Sequence, residues 1–458
     1  MDDRRHDAVG AGDAGGAPPG AEPAEVDVAV VGAGIAGLVA AARAARAGAG
    51  VVLLDGHPAG GRARSTEREG FTLNQGPHGL YDHGAFRRAL DDLDVAVHGG
   101  PPLVDRGSLW SGGRAHRLPA GPAGLIRTSV VGPRAKAQLA RLLAVAPRLD
   151  PDPWATTTFE GWLDHRGLGE DARRLVRMLV RIATYADAPD QLSADAAVAQ
   201  LQLSLRGVTY VDGGWQSLVD GLVAAAERAG VACRTGAAAA VRGVEADGDR
   251  WRVVSRDGVV RARALVLAAG GPAACAGLLE RDPGWVDGAG PAIHASCLDL
   301  GLRRPATRGI LFGVEEPLYL STHTPPAALA PAGASLVQVM RNHRPGEELD
   351  HDAVRAELWT HAGRAGISPG DVLVERYLHR LTVTHGLPLA ERGGLSGRPS
   401  VDVPGEPGLF VAGDWVGDRG VLADAAAASG TRAAELAVAH ARASSVAAPP
   451  MTTAGARA

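Results

Sequence analysis

The sequence predicts an α/β fold in which a parallel-sheet domain is interrupted twice by an α+β domain. Three observations carry this expectation. A short apolar run at 26–31 passes through a glycine-rich turn into an amphipathic helix, and a second apolar run follows at 51–55, which makes a minimal βαβ unit. A helical texture then replaces this pattern from about 100 to 206. Strand-like runs return later, and the last of them, at 408–414, precedes a long Ala-rich stretch. A chain of 458 residues is long enough for two such domains.

The elements follow in order. Residues 1–25 are rich in Gly, Ala, Pro and Asp without hydrophobic periodicity and read as a disordered leader. Arg4-Arg5 is followed by no apolar stretch, so no twin-arginine signal is indicated. Ile35, Leu38, Val39 and Ala42 share one face of the first helix, which Gly48 and Gly50 end. In the helical insertion, Leu125, Ile126, Val130 and Val131 lead into Leu139, Leu142 and Leu143. Leu175, Met178, Leu179 and Ile182 recur there at i, i+3, i+4 and i+7. Strands are expected at 231–233, 251–254, 261–266, 267–271, 295–300, 318–321 and 336–340, with a helix near 352–365 and another from about Val421. The first domain is therefore assigned to 26–99, 207–276 and 400–443, and the second to 100–206 and 277–399. A loose tail is expected at 444–458.

Composition excludes several function classes. The net charge of −4 arises from 47 basic and 51 acidic residues that read as evenly mixed, with no Lys/Arg block, so nucleic-acid binding is not expected. Cys233, Cys275 and Cys297 are far apart with no CxxC pair, which argues against a disulfide framework or a metal site. No run of 18 apolar residues occurs, so no membrane span is expected, and a cytoplasmic location is the default.

The chemistry starts at Gly32-Ala-Gly34-Ile35-Ala36-Gly37. The first glycine permits a tight turn, the second lets backbone approach a pyrophosphate, and the third lets helix and strand pack closely. The helix N-terminus offers unpaired N–H groups and partial positive charge to phosphates. Asp55 ends the next strand, 18 residues beyond Gly37, where a carboxylate can accept from a ribose. NAD and FAD share this fingerprint.

Two further motifs separate the cofactors. Gly60-Gly61-Arg62-Ala-Arg-Ser65 follows the βαβ unit, and Gly408-Leu-Phe-Val-Ala-Gly413-Asp414 with Gly420-Val421-Leu422-Ala-Asp424 lies near the C-terminus. With them the chain resembles the FAD-dependent amine oxidase and phytoene (carotenoid) desaturase superfamily, most of all its desaturase-like branch. The resemblance implies a Rossmann-like FAD-binding domain of the glutathione-reductase type, interleaved with the substrate domain, and noncovalent FAD. It implies that Gly61 and Arg62 lie along the pyrophosphate and flavin, that Asp414 holds the ribitol, and that the helix N-terminus near Val421 and Leu422 faces the flavin. It also implies that Gly76, Pro77 and His78 run past the flavin, that Val241 touches the adenine, and that Gly270 and Gly413 lie against the cofactor. Trp215 reads as a core residue.

The lysine that many amine oxidases carry on a substrate-domain strand is absent, because the strand 293–300 has none and the sole lysine is Lys136. No cysteine follows Cys297 to anchor a flavin. The segments 316–333 and 117–147 resemble desaturase regions, the latter an apolar lid expected to touch the periphery of a membrane. The expected reaction is hydride removal from an apolar, unsaturated substrate to flavin N5, with oxygen or quinone as the final acceptor. Amine or secondary-metabolite oxidation, redox-neutral isomerisation and a non-catalytic flavoprotein are the alternatives. His78, His323 and His385 are proton-acceptor candidates by residue type alone.

Overall fold

The computed structural model describes residues 24–447, with side chains to Ser445. The expected leader up to residue 23 and tail beyond residue 447 lie outside the described residues. Two expected boundaries move. The first strand, Ala24–Val31, already includes Ala24 and Glu25. The last helix, Leu422–Ala447, continues through 444–447, where Ala and Ser sustain it in place of a loose tail.

The first of two seven-stranded sheets is built from widely separated pieces of chain. Its parallel core runs Ala232–Thr235, Val51–Asp55, Ala24–Val31, Gly258–Leu267, and Leu409–Val411 pairs beside Gly258–Leu267. Arg250–Ser255 and Val241–Asp247 extend it as antiparallel strands. Val28–Val31 and Val51–Leu54 are buried on both faces, the pattern of a parallel strand covered by helices. Helix Ile35–Arg46 covers one face and crosses the last helix closely. Gly430 permits this crossing, because a Cβ there would overlap the Ala36 carbonyl. The stretch 261–271 is one strand, Gly258–Leu267, followed by a turn.

The second sheet runs Val372–Thr384, Ile293–Leu302, Ser335–Asn342, Leu318–Thr322, Ile310–Gly313, Gly107–Ser111 and Arg114–Arg117. The helix His351–Arg364 buries Val354, Leu358 and Ala362 with the sheet residues Leu298, Leu300 and Val339. The helical insertion forms its own apolar cluster. Leu125, Leu139, Leu142, Phe159, Trp162, Leu175 and Met178 meet there, and Val421 joins them from the C-terminal end of the chain. The expected run through 125–143 is two helices, Gly121–Arg127 and Pro133–Val145, because Gly132-Pro133 interrupts the first and starts the second. Among the described residues no helix is long and apolar enough to cross a membrane.

A buried ionic network ties the second sheet to the small two-stranded sheet Ser65–Arg68 and Phe71–Asn74. Asp299, fully buried in the second sheet, pairs with Arg376 at 2.5 Å and accepts from Gln338 at 2.6 Å. Arg376 also donates to the Asn74 carbonyl and, at 3.1 Å, to Thr66 Oγ1, so one guanidinium joins the second sheet to the segment entering the site.

Candidate active site

A cavity of about 800 Å³ runs between the two sheets. One end is shaped by backbone. Gly32 has φ +110°, and a Cβ there would overlap the carbonyl of Ala268, which directly follows the neighbouring strand. A Cβ on Gly37 would overlap the Gly32 carbonyl, so Gly37 serves packing and does not itself line the cavity. A Cβ on Gly34 meets no atom within 4 Å, because this glycine opens onto the cavity. The helix beginning at Ile35 leaves its first N–H groups without intrahelical partners at that spot. Gly60, with φ +116°, donates its N–H to the Ala33 carbonyl at 2.7 Å and folds the second glycine loop against the first. Gly61 then faces Gly34, the distance from a Gly61 Cβ to the Gly34 Cα being 3.8 Å.

Asp55 lines this end and is fixed by two backbone donors, Ala33 at 2.7 Å and His57 at 2.8 Å. Val241 and Gly270 line the same cavity, as do Ile35 and Ala36. A narrow backbone cradle, a helix N-terminus and a fixed carboxylate at the next strand end fit a dinucleotide with its pyrophosphate at the glycines.

The middle is organised by Asp414, which is 3% exposed. Its carboxylate accepts from Arg62 at 2.8 Å, from the His385 backbone N–H at 3.0 Å and from the His385 ring at 3.2 Å. Burial alone would raise its pKa, but Arg62 and the His385 bond outweigh burial and hold the carboxyl below the usual carboxylate range. Three of about four acceptor positions are used, which leaves one for a ligand. Arg62 also donates to the Val383 carbonyl at 2.8 Å, so this side chain links residues 62, 383 and 414 at one point. Gly413 is held by Ser429, whose hydroxyl accepts its N–H at 3.0 Å and donates to its carbonyl at 2.9 Å.

The loop of Gly76, Pro77 and His78 passes along the cavity. His78 Nδ1 lies 2.9 Å from the Gly76 carbonyl and must donate there, which leaves Nε2 as the acceptor. Its ring meets Trp215 edge-on at 4.6 Å. Burial pushes the imidazole down to about 4, so His78 stays neutral near pH 7 and is a weak base. His385 also lines the cavity. His323 does not: it stacks on Tyr210 at 3.9 Å, bonds Ser321 at 2.9 Å, and is pushed down to about 3 by burial. That histidine is a core residue walled off from the cavity, because the strand Leu318–Thr322 turns it inward. Val421 is likewise not in the wall, since it packs into the helical cluster, whereas Leu422 lines the cavity with an uncommon φ of +58°.

The far end is made of side chains. Tyr185, Met340, Leu381 and Val383 line it, and Ala295, Tyr319 and Phe312 back them. Tyr185 and Tyr319 meet edge-to-face at 6.3 Å, and the Tyr185 hydroxyl donates to the Pro77 carbonyl at 3.1 Å. Sequence reasoning missed this group because it comes from a helix end and two strands of the second sheet. It named Asp424 only as part of the C-terminal motif and gave it no role, although Asp424 is a buried wall residue that accepts the Phe86 N–H at 2.8 Å. Burial pushes the Asp424 carboxyl up to about 6. Its place in that motif, in the first turn of the last helix, was the available signal. Trp215, read as core, is buried and also lines the wall.

Comparison with known proteins adds family and fold. Residues 35–438 match the family model described as flavin containing amine oxidoreductase. A search of curated proteins gives no match. Among solved structures, an oxidoreductase from Methanosarcina mazei superposes with a TM-score of 0.71 at 18% identity, covering 89% of this chain and 100% of that one. Cyclohexylamine oxidase from Brevibacterium oxydans IH-35A gives 0.66 at 18% identity, covering 92% and 99%. A putrescine oxidase bound to putrescine gives 0.66 at 18% identity, covering 91% and 99%. Similarity at this identity is similarity of fold.

Proposed function

The chain belongs to the flavin-containing amine oxidoreductase family, and from that premise we propose that it dehydrogenates an uncharged, apolar organic molecule. It is an FAD-dependent oxidoreductase. Bound flavin supplies the acceptor for two electrons and a proton as a C–H bond is broken.

Everything else asked of the protein is binding, orientation and exclusion of water. In this reading the glycine loops and the Ile35 helix N-terminus take the pyrophosphate, and Asp55 takes the adenosine ribose. Asp414, with Arg62 and His385 fixed on it, takes the ribityl hydroxyls. Leu422 brings the N-terminus of the last helix to the ring, where its dipole favours negative charge.

The observation that carries the substrate class is the far end of the cavity. Tyr185, Met340, Leu381 and Val383 form an apolar wall with Ala295, Tyr319 and Phe312 behind it. The three carboxylates in the cavity wall are all engaged: Asp55 by backbone N–H groups, Asp414 by Arg62 and His385, Asp424 by Phe86. In this reading the positions still open on Asp55 and Asp414 go to the cofactor and Asp424 is turned to the Phe86 N–H, so no carboxylate is set aside for an ammonium group, and burying an unpaired cation would be costly. A carbon skeleton with an activated C–H, as in a polyene dehydrogenation, suits this wall. His78, held neutral by burial, is a weak base, whereas His385 gives its Nδ1 proton to Asp414 and keeps Nε2 as an acceptor, so that nitrogen or solvent takes the proton that leaves beside the hydride.

Oxidation of a neutral amine is the second reading. It is favoured by Tyr185, whose ring lines the cavity and can hold a nitrogen without a charge partner. Anaerobic titration of the purified holoprotein with polyenes, porphyrinogens and amines separates the two. Bleaching of the visible flavin band by an apolar unsaturated donor is expected, and bleaching by amines alone would transfer the function to the second reading.

A further inference from the structure

We propose that the hairpin and two helices over residues 107–149 form a docking surface for an anionic lipid bilayer. The stretch contains Arg114, Arg117, Arg127, Arg134, Arg141, Arg148 and Lys136 and not one Asp or Glu, in a chain whose net charge is −4. Charges that read as evenly mixed over the whole chain are thus segregated in this part of it. The six arginines are exposed. Among the described residues none of these seven cations forms an ion pair, whereas arginines elsewhere are widely paired, including Arg173, Arg174 and Arg177 on the adjacent helix.

The fold explains why the charges face outward. Hairpin and helices bury Leu109, Leu125, Val131, Leu139 and Leu142 in one cluster, which leaves the basic side chains on the outside. On helix Pro133–Val145, Arg134, Arg141 and Val145 fall at i, i+7 and i+11 and share one stripe. Val145 is 40% exposed, and Ile126, 73% exposed, leads the exposed large hydrophobic residues. Lys136 donates to the Ile126 carbonyl at 2.7 Å and so fixes the end of the first helix, from which Ile126 protrudes.

Apolar tips amid unpaired arginines match a headgroup layer. The guanidinium groups meet phosphates while Ile126 and Val145 enter the acyl boundary. A nucleic acid would satisfy the charge but leave the two apolar tips unused. The cluster beneath continues to Val421 and Leu422, and Leu422 lines the cavity. A bilayer source for an apolar hydride donor rests on the function proposed above. The surface itself rests only on charge and exposure.

Flotation of the holoprotein with vesicles tests the surface without any substrate. Binding is expected to vesicles of phosphatidylcholine with phosphatidylglycerol at low salt, and to be lost near 1 M salt, where the Debye length is about 3 Å. Each neutralised arginine should weaken binding about fivefold, so Arg134→Gln/Arg141→Gln should lose about 25-fold. Ile126→Ser should lose less and show little salt dependence in its loss. Flavin content and Tm of these variants should match the parent. Equal binding to pure phosphatidylcholine, no binding to either vesicle, or retention by duplex DNA or a polyanionic peptide without vesicle binding would each overturn the proposal. A polyene that bleaches the flavin while the protein ignores vesicles would defeat the docking surface and leave the function standing. Vesicle binding with bleaching only by amines would do the reverse.

Discussion

The two ends of the cavity are built on different principles. At the nucleotide end the wall is main chain: Gly32, Gly34, Gly60 and Gly61 bring backbone to the ligand path, and two backbone N–H groups fix the one acid, Asp55. At the substrate end the wall is side chains, with Met340, Leu381 and Tyr185 supplied by three separate elements. Main-chain shape tolerates few residue types, whereas an apolar wall accepts many combinations of similar volume. The first end should therefore break under small substitutions, and the second should retune.

The largest effect is expected at Gly32. Gly32→Ala places a Cβ on the Ala268 carbonyl in a backbone region that L-residues avoid. A loss of more than about 4 kcal/mol is expected, with protein that is colourless or does not fold. A yellow, stable Gly32→Ala protein would show that main-chain shape does not control this end.

Next comes Asp414→Asn, which leaves Arg62 without its charge partner. Removing one member of a buried pair costs about 3–5 kcal/mol, but Arg62 keeps 37% of its side chain exposed. About 2–3 kcal/mol is therefore expected, read as a flavin Kd raised about 30- to 150-fold in equilibrium dialysis. An unchanged Kd would mean that the carboxylate serves only the protein.

Met340→Ala should be gentler on the cofactor. The side chain is 1% exposed, so a stability cost of about 2 kcal/mol is expected, with flavin content retained and KM for an apolar donor raised about tenfold. A fall in kcat with KM unchanged would move Met340 out of the substrate wall.

The last effect is confined to a pH window and lies at Asp424. Its carboxyl is raised from 3.8 to about 6. Between those values the folded chain keeps a proton that the unfolded chain has lost, so stability falls as pH rises through the window. Asp424→Asn keeps an oxygen for the Phe86 N–H and should flatten this fall, gaining at most about 3 kcal/mol above pH 6. Parallel pH–Tm curves for the two proteins would count against a raised carboxyl.

The same contrast explains what the sequence disclosed. A glycine needed for close approach has no substitute, so Gly32, Gly37 and Gly60 stand out against any background. Arg62 and Asp414 stand out because charged residues inside apolar or glycine-rich runs need a reason to be there. Met340, Leu381 and Val383 look like any buried strand residues, and only the pairing of Ile293–Leu302 with its two neighbours decides that they surround a cavity. His323 misled by type, since nothing local tells a histidine stacked on Tyr210 from one facing a ligand. Ser429 was overlooked because a serine in an Ala-rich helix gives no sign that it clamps Gly413, 16 residues earlier, and Gly430 because it admits Ala36 across almost 400 residues of chain.

That separation has a consequence for how the molecule is made. The strand Ala24–Val31 waits for its neighbour Gly258–Leu267, and the strand beyond that is Leu409–Val411. Arg62 in turn waits for Val383 and Asp414. At ribosomal rates of about 5–20 residues per second, the glycine turn spends about 20–75 s outside the exit tunnel before its site can close. If Asp414 holds the ribityl chain as proposed, flavin loading waits for the C-terminal strand, and a nascent chain stalled before Gly413 has a glycine turn without the rest of the proposed site.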